Sequence, residues 1–166
     1  MKVTFGGNPV TLTGTLIKAG DKAPEFSALS NDLKPVKLSD FKGKVKLISV
    51  FPSIDTSICS LQNHRFNREA AAFGSKVVFI AISNDLPFAL NRFCGAEGIN
   101  NLVTLSDHKD TEFGTRYGFL IQELRLLSRG VVVIDQNDVV KYVEVVPEIA
   151  TEPSYDDPIK AIKSLV

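Results

Sequence analysis

Two runs of consecutive apolar residues give the first indication of the fold. VKLISVF spans Val45 to Phe51, and KVVFIAIS spans Lys76 to Ser83. Runs of this length that are apolar on both faces are typical of central strands in a sheet that helices cover on both sides. A third strand is predicted at LVTLSD, residues 102–107.

Helical periodicity fills the intervals between these strands. Over residues 57–73 apolar side chains recur at helical spacing, and Gly74 supplies a natural stop. A shorter helix is predicted over residues 85–94, with a proline in its first turn. TEFGTRYG predicts another short helix, and the C-terminal stretch YDDPIKAIKSL predicts an amphipathic one.

The two ends of the chain carry antiparallel patterns. Residues 2–17 alternate apolar and polar around GGNP, which predicts a β-hairpin extension over residues 1–18. Prolines at positions 24 and 35 predict a loop between that hairpin and the first central strand. Near the C-terminus, RGVVVID and VVKYVEVV flank the turn residues Gln-Asn-Asp and predict a second hairpin.

The order of these elements predicts an α/β fold. Strands and helices alternate, which favours a mixed central sheet with helices on both faces. No repeat or linker divides the chain, so we expect one domain over residues 1–166. In such folds the functional loops follow the carboxyl ends of the parallel strands. The stretch FPSIDTSIC, residues 51–59, lies at that position.

Composition and charge exclude some classes of function. The apolar fraction is 44% and the charged fraction 23%, as in ordinary globular proteins. Nineteen basic residues balance nineteen acidic ones without a basic stripe, which argues against nucleic-acid and anionic-membrane partners. The N-terminal residues have no apolar signal core, and no apolar run approaches the ~20 residues that span a bilayer. We therefore expect a cytoplasmic protein.

The two cysteines admit a structural and a chemical interpretation. A chain with two cysteines has no disulfide framework, and free cysteine is often simply a buried apolar residue. His64 and His108 are dispersed and complete no metal-ligand spacing with the cysteines, so no metal or other cofactor is expected. His64 is five positions beyond Cys59, which on a helix predicts a surface residue.

Cys59 follows a predicted strand and stands in the first turn of a predicted helix. The positive end of the helix dipole favours the thiolate form of a cysteine at that position. Thr56 is a good N-cap residue, three positions before the cysteine, and its hydroxyl is a candidate to face the sulfur or a substrate. Pro52 fixes the backbone where the strand ends. A cysteine at a helix start by chance remains the alternative.

Longer motifs give a resemblance to a known family. PSIDTSIC fits the pattern P-x-x-x-T-x-x-C, and FPSIDTSIC resembles the active-site string of the thiol peroxidase class of peroxiredoxins. The same class has phrases like SNDLPFALNRFCGAEGINN, VTLSD and LLSRGVVVID, all present here. The resemblance covers essentially the whole chain, including the N-terminal hairpin.

This resemblance implies a thioredoxin fold with an N-terminal β-hairpin extension, usually as a homodimer. Cys59 would be the peroxidatic cysteine and Cys94 the resolving one, joined on oxidation by an intramolecular disulfide. Pro52 and Thr56 would shape the peroxide pocket, and Arg129 would be the catalytic arginine. The substrates would be hydrogen peroxide and alkyl hydroperoxides, and thioredoxin would be the reductant.

Several neighbours leave alternatives open. Arg125 competes with Arg129 for the catalytic role, but it belongs to the preceding loop and we expect it at the surface. Gly130 departs from the class pattern, with consequences expected only for local backbone stiffness. Four apolar residues could form a pocket rim suited to alkyl hydroperoxides: Phe51, Ile54, Phe88 and Phe93. For each of them taken singly, ordinary core packing is an equally good interpretation.

A second function class uses the same cysteines. In a non-catalytic redox sensor or holdase, oxidation of the pair would switch a binding surface. Arg129 and Thr56 favour the enzyme, because a switch needs no donors for a leaving oxygen. The absence of C-x-x-C argues against a thioredoxin-type oxidoreductase. In the enzyme, disulfide formation is expected to require local unwinding of the Cys94 segment, of the first turn at Cys59, or of both, and Gly95 and Gly98 favour the Cys94 segment.

Overall fold

A computed structural model describes residues 1–166 and contains nine strands and four α-helices. The strands are β1 (Val3–Phe5), β2 (Asn8–Val10), β3 (Ser27–Leu29), β4 (Pro35–Lys37), β5 (Val45–Val50), β6 (Val77–Ser83), β7 (Val103–Ser106), β8 (Gly130–Ile134) and β9 (Val140–Val145). The helices are α1 (Ser57–Ala70), α2 (Pro87–Glu97), α3 (Glu112–Tyr117) and α4 (Asp156–Lys163).

A seven-stranded mixed sheet forms the centre of the molecule, in the order β4-β3-β7-β6-β5-β8-β9. Strands β5, β6 and β7 are parallel, and the remaining pairs are antiparallel. The parallel strands are the apolar runs of the sequence, and every residue of β5 is buried. The carboxyl ends of β5, β6 and β7 therefore meet at one edge of the sheet.

Alternate residues of the central strands face opposite layers of helices. On one face Leu47 packs in a cluster with Phe66 of α1 and Ile162 of α4. On the other face Ile48 belongs to the larger cluster that includes Phe113 of α3. Because side chains alternate along a strand, a fully apolar strand requires helices on both faces. The predicted fold class, a thioredoxin-like mixed sheet with helices on both faces, is confirmed.

The N-terminal extension is smaller than the sequence predicts. Strands β1 and β2 form a separate two-stranded antiparallel sheet, and both consist of three residues. Beyond Val10 the chain continues as an extended segment that is tied to the α3–β8 region. The amide of Thr13 donates to the carbonyl of Leu120, and the amide of Ile17 donates to that of Tyr117. The alternation of apolar and polar residues up to residue 17 therefore arises because this segment packs against the core, and the hairpin itself ends at Val10.

Two further predictions need correction. Residues 23–37, predicted as a loop, contain the antiparallel pair β3 and β4, with Ala28 opposite Val36. Strands of three residues beside prolines give no alternating run that is long enough to recognise. Helix α1 ends at Ala70 instead of Phe73, and the last residues before Gly74 form a turn. No helix has the length and apolar character needed to cross a membrane.

Candidate active site

The loop between β5 and α1 is held by an aspartate that lies just after the neighbouring strand β6. Asp85 follows β6, and its carboxylate accepts hydrogen bonds from the Ser53 hydroxyl (2.9 Å) and the Ile54 amide (3.0 Å). The Ser83 hydroxyl donates to the same carboxylate at 2.6 Å. These bonds form because β5 and β6 are parallel neighbours, so the loops after them are adjacent. Pro52, in the same loop, is buried.

Cys59 lies in the first turn of α1 and has no solvent exposure. Its side chain packs in a small apolar cluster with Phe51, Ile54, Ala81 and Leu90. One polar group reaches the sulfur, because Nη2 of Arg129 donates to Sγ at 3.3 Å. A cation and the amino end of a helix therefore both act on this sulfur, and both favour negative charge there.

Arg129 is 2% exposed and uses each of its three nitrogens. Nε donates to the carbonyl of Ile149 at 2.6 Å, and Nη1 donates to Oε1 of Gln62 at 2.8 Å. No carboxylate is among its hydrogen-bond partners, so the Cys59 sulfur is the one partner that can become an anion. A buried guanidinium without a counter-ion stabilises a thiolate beside it more strongly than an exposed one would.

Gln62 is a functional candidate that the sequence analysis missed. It is fully buried, and its amide nitrogen donates to the Ser49 hydroxyl (2.7 Å) and the Val50 carbonyl (3.1 Å). Its oxygen is thereby turned towards Arg129. The available signal was its spacing, because positions three apart on a helix share a face and Gln62 follows Cys59 by three.

Two partners were expected for the Thr56 hydroxyl, the Cys59 sulfur or a substrate, and the sulfur is not among its hydrogen-bond partners. The residue is the N-cap of α1, is exposed, and donates from Oγ1 to the carbonyl of Ser53 at 3.1 Å. The Thr56 amide donates to the same carbonyl at 3.2 Å, so both donors of this residue are used within the loop. Thr56 and Arg129 nevertheless line the same cavity, of about 310 Å³, which opens beside the start of α1.

The two arginines considered for the site are clearly separated. Arg125 is exposed and adopts a positive φ of 53° in a loop, where its carbonyl accepts a bond from Asn84. Arg129 is the one beside Cys59. The next residue, Gly130, has no room for a side chain: a Cβ there would overlap the Glu144 carbonyl and lie 2.7 Å from the ring of Phe119. Close packing against β9 and Phe119 therefore requires glycine at this position.

Cys94 has separate surroundings, in the second half of α2. Both cysteines are free thiols, and Cys94 is half-buried. Its sulfur donates to Oγ1 of Thr104 at 3.7 Å, and that hydroxyl donates to Oδ1 of Asn31 at 2.9 Å. Burial raises the pKa of the Cys94 thiol, and the Thr104 hydroxyl offsets part of the rise. An open cleft of about 450 Å³ between the start of α1 and α2 is lined by Thr56, Phe93 and neighbours.

The four aromatic and aliphatic candidates for a pocket rim divide into two groups. Phe51 and Ile54 are buried around Cys59, and Phe93 packs against the same cluster. Phe88 is 66% exposed and lies outside it. His64 lies at the surface, as the sequence predicts. Its Nε2 is 3.5 Å from Oε1 of Glu97 in α2, and both side chains are more than 40% exposed.

Comparison with known proteins assigns the chain to a family. A family model described as Redoxin matches residues 18–159, and the thiol peroxidase of Bacillus subtilis (strain 168) is 53% identical over 165 residues. The alignment covers 99% of this chain and 98% of that relative. The chain belongs to the Redoxin family. Within that family it falls in the thiol peroxidase class of the peroxiredoxins, so the predicted class of thiol-dependent peroxiredoxin enzyme is confirmed.

Solved structures agree with this assignment. A peroxiredoxin-like protein from Aquifex aeolicus matches with a TM-score of 0.93 and 38% identity, covering 99% of this chain and 97% of that one. The thiol peroxidase from Chromobacterium violaceum matches with a TM-score of 0.84 and 25% identity, covering 99% and 95%. The small N-terminal hairpin and the central sheet are both included, because the matches span almost the whole chain.

Proposed function

We propose that this protein reduces hydrogen peroxide and alkyl hydroperoxides, with Cys59 as the peroxidatic cysteine. The observation that carries the proposal is the hydrogen bond from the buried Arg129 guanidinium to the Cys59 sulfur. A cysteine that only fills space needs no buried cation, because an unpaired buried charge is costly. The bond is therefore best explained by a function of the thiolate.

In the first step the Cys59 thiolate attacks the terminal oxygen of the hydroperoxide. The S–O bond forms as the O–O bond breaks, giving a sulfenic acid, and the leaving alkoxide or hydroxide takes up a proton to become alcohol or water. Negative charge moves from sulfur to oxygen during this step. Arg129 is a fixed donor for that charge, and Thr56, which lines the same cavity, orients the peroxide.

In the second step Cys94 resolves the sulfenic acid. Its sulfur attacks the Cys59 sulfur, and the S–S bond forms as the S–O bond breaks. The departing hydroxide takes up the proton that the Cys94 thiol releases and leaves as water. Because Cys94 lies inside α2 and bonds to Thr104, this step requires the end of α2 to unwind. Faster amide hydrogen exchange over residues 91–98 in the oxidised protein than in the reduced one tests this movement, and equal exchange contradicts it.

A dithiol protein of the thioredoxin type then reduces the disulfide and completes the cycle. We further propose that residues 1–166 act as one domain, that two chains form a homodimer, and that the enzyme works in the reducing cytoplasm. The homodimer is what the resemblance to the thiol peroxidase class implies.

The test is steady-state turnover of cumene hydroperoxide and hydrogen peroxide with thioredoxin, thioredoxin reductase and NADPH. Multiple turnovers that vanish when thioredoxin is omitted are expected. A single equivalent of peroxide consumed, with no further turnover under any dithiol reductant, would contradict the enzyme and favour the sensor or holdase alternative. Chemical reduction by dithiothreitol serves as the control for a wrong choice of reductant protein.

A further inference from the structure

The N-terminal hairpin contributes a wall to the cavity beside the proposed catalytic residues. Six residues line this cavity of about 310 Å³: Phe5, Thr56, Ser57, Ile58, Arg129 and Ala150. Three of them come from the start of α1. Phe5 comes from β1, and Ala150 comes from the loop between β9 and α4. The cavity therefore has a polar end at Arg129 and an apolar side that includes a phenyl ring.

The hairpin is held in this place by the loop between β9 and α4. The amide of Thr4 donates to the carbonyl of Pro147, and the amide of Ile149 donates to the carbonyl of Thr4, both at 2.8 Å. Phe5 is the next residue along the chain. Its backbone position is thus fixed by main-chain pairing with a segment that also lines the cavity.

Glu148 completes the attachment with its side chain. One carboxylate oxygen accepts from the amide of Gly7 (2.7 Å) and the hydroxyl of Thr4 (3.0 Å). The other accepts from the amides of Gly6 (3.1 Å) and Ala150 (2.7 Å). The amide donors, Ala150 first, lower the pKa of Glu148 to about 2, so the carboxylate is charged at neutral pH. Gly6 and Gly7 both have positive φ, as a tight hairpin turn requires.

The same loop also holds Arg129. The carbonyl of Ile149, between Glu148 and Ala150, accepts the bond from Nε of Arg129 at 2.6 Å. One short segment therefore binds the guanidinium that contacts the Cys59 sulfur and the hairpin that carries Phe5.

The geometry points to Phe5 as a specificity-determining residue that contacts the organic group of an alkyl hydroperoxide, and to Glu148 as the residue that positions it. This inference rests on the proposed peroxidase function. When the peroxide oxygens lie near Arg129 and Cys59, the organic group extends into the rest of the cavity, where Phe5 forms the aromatic side. Hydrogen peroxide has no organic group and gains nothing from this contact.

The first test compares two peroxides in Phe5→Ala. The second-order rate constant for Cys59 oxidation is measured with cumene hydroperoxide and with hydrogen peroxide, by rapid quench and mass spectrometry, because the chain has no tryptophan to report oxidation. Loss of an aromatic contact should lower the cumene hydroperoxide constant about tenfold. The hydrogen peroxide constant should stay within about twofold, since no contact is lost.

Phe41→Ala is the matched control. Phe41 is also partly buried against the larger core cluster, but it lies outside the cavity, so its truncation costs packing without changing the pocket. In Phe41→Ala the ratio of the cumene hydroperoxide constant to the hydrogen peroxide constant should equal that of the unmodified protein. Phe5→Leu keeps an apolar side chain on the core and serves if Phe5→Ala folds poorly. An equal fall for both peroxides, or no fall for cumene hydroperoxide, would overturn the inference.

The second test addresses Glu148. Both carboxylate oxygens of Glu148 accept hydrogen bonds, and Glu148→Gln replaces one of them with an NH₂ group, which cannot accept. The hairpin should therefore shift, and the ratio of the cumene hydroperoxide constant to the hydrogen peroxide constant should fall about threefold. Glu123→Gln is its control, because Glu123 accepts a bond from the Thr11 amide away from the cavity. An unchanged ratio in Glu148→Gln would overturn its positioning role. Failure of the unmodified protein to react with either peroxide would instead contradict the proposed function.

Discussion

The surroundings of the two cysteines differ in kind, although both residues belong to helices that follow parallel strands. Cys59 is in the first turn of α1, has no exposure, and accepts a bond from a buried guanidinium. Cys94 is in the second half of α2, is half-buried, and donates to the neutral hydroxyl of Thr104. The sulfur of Cys59 therefore faces a charged donor, whereas the sulfur of Cys94 has only a neutral partner.

The position along a helix explains part of this difference. The amino end of a helix favours negative charge and the carboxyl end disfavours it. The carbonyl of Cys94 also accepts the amides of Gly98 and Ile99, so this residue closes the end of α2. Burial raises the pKa of the Cys94 thiol further. Cys59 thus has both a charged donor and a helix start beside its sulfur, and Cys94 has neither.

The largest expected effect separates the two cysteines by substitution. Cys59→Ser should consume no peroxide at all, because the attacking sulfur is gone. Cys94→Ser should still consume about one equivalent, because the first step does not use the second thiol. Peroxide consumption is measured by a ferrous-oxidation assay on protein reduced beforehand. Loss of the first equivalent in Cys94→Ser would reverse the assignment of the two roles.

The next effect tests the cation beside Cys59. Arg129→Met should lower the rate constant of Cys59 oxidation about 10²-fold, because loss of a fixed donor to developing charge costs on the order of 3 kcal/mol. Arg125→Met is the matched control and should change the constant by less than about twofold, since Arg125 is exposed in a loop. Both constants come from the same rapid-quench series. A near-normal rate in Arg129→Met would remove the basis of the comparison.

A smaller effect is expected at the residue that orients this cation. Gln62→Met keeps the length of the side chain but removes the acceptor for Nη1 of Arg129, so the rate constant of Cys59 oxidation should fall about tenfold. Gln136→Met, which removes one exposed bond to the carbonyl of Leu165, is the control. If the two variants behave alike, Gln62 has only a packing role.

The smallest effect concerns the restraint on Cys94. Thr104→Val removes the hydroxyl that accepts from the Cys94 sulfur and should speed disulfide formation about threefold, because a weak bond no longer opposes release. Thr104→Ser keeps the hydroxyl and should match the unmodified protein. Formation of the disulfide is followed by non-reducing mass spectrometry after one equivalent of peroxide. Slower formation in Thr104→Val would mean that Thr104 promotes the second step instead of restraining it.

Sequence patterns anticipate the parts of this molecule that depend on local order. The apolar runs predict β5 and β6 because a strand buried on both faces has no polar positions. The position of Cys59 at a helix start could also be predicted, because the strand, the turn and the N-cap that precede it are contiguous in the sequence. The motif P-x-x-x-T-x-x-C then supplies the family.

The parts that the sequence did not reveal depend on tertiary contacts. Gln62 acquires its role only because Ser49 and Val50 turn its amide towards Arg129. Asp85, in the loop after β6, binds Ser53 and Ile54 in the loop after β5, and no spacing in the sequence predicts a contact between these two loops. Strands β3 and β4 are too short to produce a period, and they form because partners are available at the edge of the sheet.

The most direct test of the contrast between the two cysteines is time-resolved trapping of sulfenic acid in the unmodified protein. One equivalent of cumene hydroperoxide is mixed with reduced protein, the reaction is quenched into a dimedone-type reagent at successive times, and both cysteine peptides are quantified by mass spectrometry. The sulfenic acid should form first and only on Cys59, and then decay as the Cys59–Cys94 disulfide appears. Adducts on Cys94 at early times, or equal labelling of both cysteines, would contradict the account.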